Sequence, residues 1–136
     1  MTAYVLDSSA LIRYIDNEPG AARIEKILRD CADRQAGLSI SAIQWGEVAG
    51  NLRKRFGAPE ENTVIANLLP SEAEIVAASS ERANRAAELR VDCGISYADA
   101  FAVELALGSP EHVLVTADYG FKSVEDLIRI EFLPSK

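Results

Sequence analysis

The strongest constraint on the fold is an alternation. Short apolar runs take turns with longer stretches of helical period from one end of the chain to the other. Tyr4-Val5-Leu6 reads as a strand that stops at Asp7, and Ser8-Ser9 open an apolar helix through Ile15. Asn17-Glu18-Pro19-Gly20 breaks that helix, and Ala21 to Arg34 predicts a second one with Ile24, Ile27 and Leu28 on one face. Gly37 to Ser41 is a second strand. Ser41 caps a helix from Ala42 to Phe56, with Ile43, Val48, Leu52 and Phe56 on its buried side and Gly57 as its stop. Pro59 and Pro70 bracket a further helix, and Glu74-Ile75-Val76 is a third strand. A long helix then runs from Ser79 or Ser80 to Cys93, and another from Ser96 to Leu107. Val113 to Thr116 is a fourth strand ending just before Asp118, and Ile128 to Phe132 a fifth.

Strands and helices alternating along the chain imply a parallel sheet covered by helices on both faces. Ligands in such folds bind beyond the carboxyl ends of the strands, where the strand order reverses. The 136 residues suit one domain spanning 1–136, and a 49% hydrophobic content can fill its core. There is no internal repeat, no run able to span a bilayer and no basic, apolar leader, so a cytoplasmic protein without membrane contact is expected. One histidine, His112, and two distant cysteines, Cys31 and Cys93, argue against structural zinc. The net charge of −7 is uneven: residues 1–70 carry −1 and residues 71–136 carry −6. Arg53-Lys54-Arg55 is the only tight basic cluster.

Four acids stand out against this pattern. Asp7 and Asp118 follow the first and fourth strands, so both belong at the ligand-binding edge of the sheet. Glu47 lies among small and apolar residues on the helix after the second strand, and Asp99 lies among alanines and Phe101. A carboxylate in apolar surroundings is costly, and several near one another repel. A divalent cation relieves both penalties, and an all-carboxylate donor set suits Mg²⁺ or Mn²⁺. Each acid also has an ordinary role open to it. Asp7 and Asp118 are good turn or cap residues, Ser96-Tyr97-Ala98-Asp99 is a helix-start motif, and Glu47 suits a solvated helix face.

The stretches Val5-Leu6-Asp7-Ser8-Ser9-Ala10-Leu11, Ser41 to Val48, Gly94 to Ala100 and Leu114 to Asp118 together resemble PIN-domain ribonucleases, most of all the VapC-type toxins of bacterial toxin–antitoxin pairs. The match follows the family's order over nearly the whole chain. The resemblance implies a three-layer α/β/α sandwich with a central parallel sheet and Mg²⁺- or Mn²⁺-dependent cleavage of RNA. It implies Asp7, Glu47, Asp99 and Asp118 as the metal-binding and catalytic acids. Ser9 and Thr116 match supporting hydroxyl positions. It further implies a homodimer and a small antitoxin as partners. One departure stands in the turn Tyr119-Gly120-Phe121, where Gly120 is expected to loosen the hold on Asp118.

Arg53, Lys54 and Arg55 are candidate RNA contacts, or simply a solvated helix end. Arg13, beside Asp7, either contacts substrate or snorkels and pairs with an acid. Trp45 either stacks a base or packs in the core or at a dimer interface. Two alternatives remain open at this level. A haloacid-dehalogenase-type phosphatase also starts with Asp after a strand, but has a second Asp where this chain has Ser9. A catalytically silent PIN-like interaction module would share the fold without the chemistry.

Overall fold

The computed structural model describes all of residues 1–136. Five strands, β1 (Ala3–Leu6), β2 (Gly37–Ser41), β3 (Glu74–Val76), β4 (His112–Thr116) and β5 (Arg129–Phe132), form one sheet in the order β3-β2-β1-β4-β5. Every pairing is parallel. The chain winds outward from β1 to β3, crosses back beside β1 as β4, and continues to β5. The strand order therefore reverses between β1 and β4, which is where a parallel sheet opens a crevice at its carboxyl edge.

Helices α1 (Ser8–Ile15), α2 (Ala21–Ala32), α3 (Ala42–Phe56), α4 (Ala58–Leu68), α5 (Ser80–Cys93) and α6 (Tyr97–Ala106) make the crossovers, and a 3₁₀ helix (Tyr119–Val124) joins β4 to β5. Strand side chains alternate between two cores. Leu6, Leu38, Ile40 and Val115 pack with Leu11, Ile24, Ile27, Val48 and Leu52 on one face. Val5 and Leu114 pack with Ala102, Val103, Leu105 and Phe121 on the other. A small cluster of Ala86, Ala100 and Phe101 seats α5 on α6. The result is the expected three-layer α/β/α sandwich. No helix is long and apolar enough to cross a membrane.

Differences from the sequence expectations are local. The cap of α1 is Asp7, whose side chain accepts from the Ala10 N–H, rather than one of the serines. Phe56 does not line the core: it is 45% exposed and lies against the Arg55 guanidinium, 4.8 Å from its ring centroid. It is the last residue of α3, where the helix has already left the sheet. The 3₁₀ helix after Asp118 carries no clear periodicity in sequence, yet it buries Phe121 and Val124.

Candidate active site at the carboxyl edge of the sheet

Asp7 forms the floor. It follows β1, is 2% exposed, and its carboxylate collects three donors. The Ala10 N–H gives one bond at 3.0 Å, and the Thr116 hydroxyl another at 2.6 Å. Ser9 Oγ stands 2.8 and 2.9 Å from the two carboxylate oxygens. Each hydroxyl has one proton to give and both are spent on Asp7. As acceptors the same oxygens fix the strand end: Ser9 Oγ takes the Ala117 N–H at 3.0 Å and Thr116 Oγ1 takes the Asp118 N–H at 2.9 Å. Ser9 and Thr116 therefore lock the end of β1 to the end of β4. A carboxylate offers about four lone-pair positions, so one stays open on Asp7.

The remaining acids rise from this floor to the rim. Asp99, half-buried, sits in the first turn of α6, where its N–H donates to the Ser96 cap at 3.1 Å. Glu47 is exposed, with Oε1 accepting from the Ser8 hydroxyl at 3.1 Å. Asp118 is exposed and caps the 3₁₀ helix by accepting from the Gly120 N–H at 2.8 Å. Gly120 thus holds Asp118 instead of loosening it, and there is no room for more: a Cβ there would stand 3.0 Å from Asp118 Oδ1. Asp7, Asp99 and Asp118 thus take up the cap and helix-start roles open to them.

The electrostatics follow from burial and like charge. Burial pushes the Asp7 carboxyl up from 3.8 to about 6, against its hydrogen bonds from Thr116, Ala10 and Ser9, and the Asp99 charge adds to the rise. Asp99 is also raised, first by burial and then by Asp118, while bonds from Ser96 and Gln44 oppose the change. None of the molecule's ion pairs includes any of the four acids. As the side chains stand, no three of them converge closely enough to grip one ion. They share an edge and a field, which a cation would have to draw together.

A PIN-domain family model matches residues 4–127. The chain belongs to the PIN-domain family. Among solved structures, it resembles a DNA-bound VapBC complex from Salmonella typhimurium, with 22% identity, a TM-score of 0.72 and coverage of 97% of this chain and 98% of that one. VapBC2 from Rickettsia felis, bound to a promoter fragment, gives 22% identity and a TM-score of 0.75, with 98% and 100% coverage. A toxin–antitoxin complex from Klebsiella pneumoniae gives 20% identity and 0.69, again with 98% and 100% coverage. At such identities the likeness establishes the fold. No curated protein matches by sequence.

The PIN fold removes the haloacid-dehalogenase alternative and separates the supporting residues. Arg13 pairs with backbone carbonyls and not with an acid. It is 8% exposed, and its guanidinium donates to the backbone carbonyls of Pro19 and Pro134, each at 2.7 Å. Arg55 is committed to Asp16 at 2.8 and 3.2 Å. Arg53 stands 3.8 Å from Glu61, and Lys54 has no carboxylate partner. Trp45 is half-buried against the larger core. His112 lies at the opposite end of β4, its Nδ1 2.7 Å from the Leu105 carbonyl oxygen. Two residues of the site went unnoticed in sequence, Ser8 and Gln44. Ser8 was visible only as a helix-start residue. Gln44, 1% exposed, offered one signal, a polar amide on the same helix face as Glu47, three residues before it.

Proposed function

We propose that this PIN domain is a metal-dependent endoribonuclease and the toxin of a toxin–antitoxin pair, with Asp7, Glu47, Asp99 and Asp118 as its metal-binding and catalytic acids. The observation that carries it is a buried Asp7 at the sheet's switch point, with Asp99 adding like charge and no cationic side chain to balance either. The donor chemistry fits a hard cation, since every candidate ligand is an oxygen. Asp7 and Asp99 would hold Mg²⁺ or Mn²⁺, with Glu47 and Asp118 completing the site from the rim. When bound, such an ion polarises a phosphoryl oxygen and makes water nucleophilic near neutral pH.

The chain's own residues do the rest. Ser9 and Thr116 fix both Asp7 oxygens in place, and Ser8 orients Glu47. The exposed Glu47 and Asp118 leave the cleft open to a polymer. Lys54 and Arg53, about 10 Å farther along α3 than Glu47 at 1.5 Å per residue, can reach a neighbouring phosphate. Lys122, four residues past Asp118 and not singled out by sequence, is a further candidate.

The likeness to VapBC complexes supports a small antitoxin as partner, and a homodimer is the assembly that the family resemblance implies. An RNA substrate places the work in the cytoplasm. The test is cleavage of a broad RNA pool with Mg²⁺ or Mn²⁺ by wild type and Asp7→Asn. Wild type should cleave and the variant should not. A folded wild type inert on every RNA with both metals would favour the silent-module alternative, and an active Asp7→Asn would sink the assigned mechanism.

A further inference from the structure

We infer that Gln44 is a positioning residue that sets the spacing of the acids, and hence the affinity of the site for its cation. This inference rests on the metal-dependent reading above. Gln44 is 1% exposed, and its side-chain amide is used at both ends. Oε1 accepts from the Ser8 N–H at 2.7 Å, and Nε2 donates to the Ala98 carbonyl oxygen at 2.7 Å. Its amide also favours the ionised form of the neighbouring Asp99 carboxyl.

Those partners are the immediate neighbours of two site acids. Ser8 follows Asp7, and Ala98 precedes Asp99. Gln44 itself precedes Glu47 by three residues, just under one turn of α3. Ser8 closes the loop by donating its hydroxyl to Glu47 Oε1. The bond to Ala98 runs directly from α3 to α6. One amide thus ties together α1, which follows Asp7, α3, which carries Glu47, and α6, which carries Asp99 in its first turn.

The chemistry selects this side chain. Ser8 N–H is an unpaired donor at a helix start and needs an acceptor, while Ala98 O and the Asp99 carboxylate need donors. A glutamate would only accept, and a methionine of similar volume would do neither. Ser9 and Thr116 fix Asp7 and Ser96 caps the turn of Asp99, while beside these acids only Ser8 and Gln44 bond across α1, α3 and α6. Groups that orient metal ligands in this way typically change metal affinity 10–100-fold when lost.

The experiment is Mn²⁺ titration by calorimetry on the full chain, for wild type, Gln44→Met and Gln44→Asn, with metal-free thermal unfolding alongside. Gln44→Met conserves volume and removes both bonds. Gln44→Asn keeps the amide but is one methylene too short to span both partners, and it guards against a Met variant that fails to fold. Both variants are expected to bind Mn²⁺ about tenfold more weakly or worse. The Mn²⁺ concentration for half-maximal RNA cleavage should rise by the same factor, with KM for RNA unchanged. A folded variant that melts earlier yet binds Mn²⁺ as tightly as wild type overturns the inference and leaves Gln44 a purely structural bridge. Wild type that binds no Mn²⁺ overturns the metal reading itself, and this inference with it.

Discussion

Asp7 is costly to keep ionised, and that cost is measurable. Its carboxyl titrates near 6 in the folded protein and near 3.8 when free. The protonated form is therefore favoured by folding. Its contribution to stability is present below pH 3.8, fades as pH rises through 6, and is absent at neutrality, a loss of about 3 kcal/mol. Metal-free Asp7→Asn is expected to be more stable than wild type in urea at pH 7.5 and to lose this advantage near pH 4. Equal stability of the two at both pH values would contradict the assigned burial cost. At Gly120 the expectation is opposite in kind. Its backbone suits any residue, so Gly120→Ala should cost less than about 1 kcal/mol in unfolding. Its Cβ would press on Asp118 Oδ1, and RNA cleavage should fall several-fold. Unchanged cleavage would free Asp118 from any demand on its placement.

Among the elements, α6 is the one whose start matters most. Ser96 caps it, and the donor it satisfies is the N–H of Asp99 itself. Ser96→Ala should cost about 1 kcal/mol of stability by removing that bond. It should also weaken Mn²⁺ binding, because the first turn that frays is the one carrying the acid. Calorimetry and thermal unfolding on the same sample would show whether the two losses travel together. Secondary structure of this kind was largely legible in sequence. Gly57 and Gly94 mark real helix ends, and Ser41, Ser79 and Ser96 are real caps. What escaped was set by contacts across the chain. Arg13 looked like a charge beside an acid, and its true partners are carbonyls at Pro19 and Pro134. Gln44 gave little sign of its role, because its partners lie on two other helices. Phe56 kept the helical period of its face, but α3 had outrun the sheet. Gly120 resembled a flexible break because a sequence does not display the rotamer of Asp118.

For the molecule as a whole, net acidity and an unbalanced pocket point the same way. Binding a cation to the native state alone stabilises it by mass action, by about 2.7 kcal/mol at one hundred times the dissociation constant. Mn²⁺ should raise the thermal midpoint of wild type and leave that of Asp7→Asn unmoved, which a fluorescence melt can check. Four acids on separate elements were recognisable from sequence because each follows a strand or opens a helix at the same edge. Their common edge was readable from topology, but their separation was not. That is set by Ser9, Thr116 and Gln44, side chains with ordinary local roles.

The bond from Thr116 to Asp7 spans 109 positions and joins the first strand of the chain to the fourth. During synthesis, Asp7 leaves the ribosome 109 positions ahead of Thr116. A nascent chain that still lacks β4 has neither the Thr116 hydroxyl nor the Ala117 N–H that holds Ser9, and its carboxylates have no common edge to share. The sheet order thus acts as a timer: the acidic edge cannot assemble until β4 has been made.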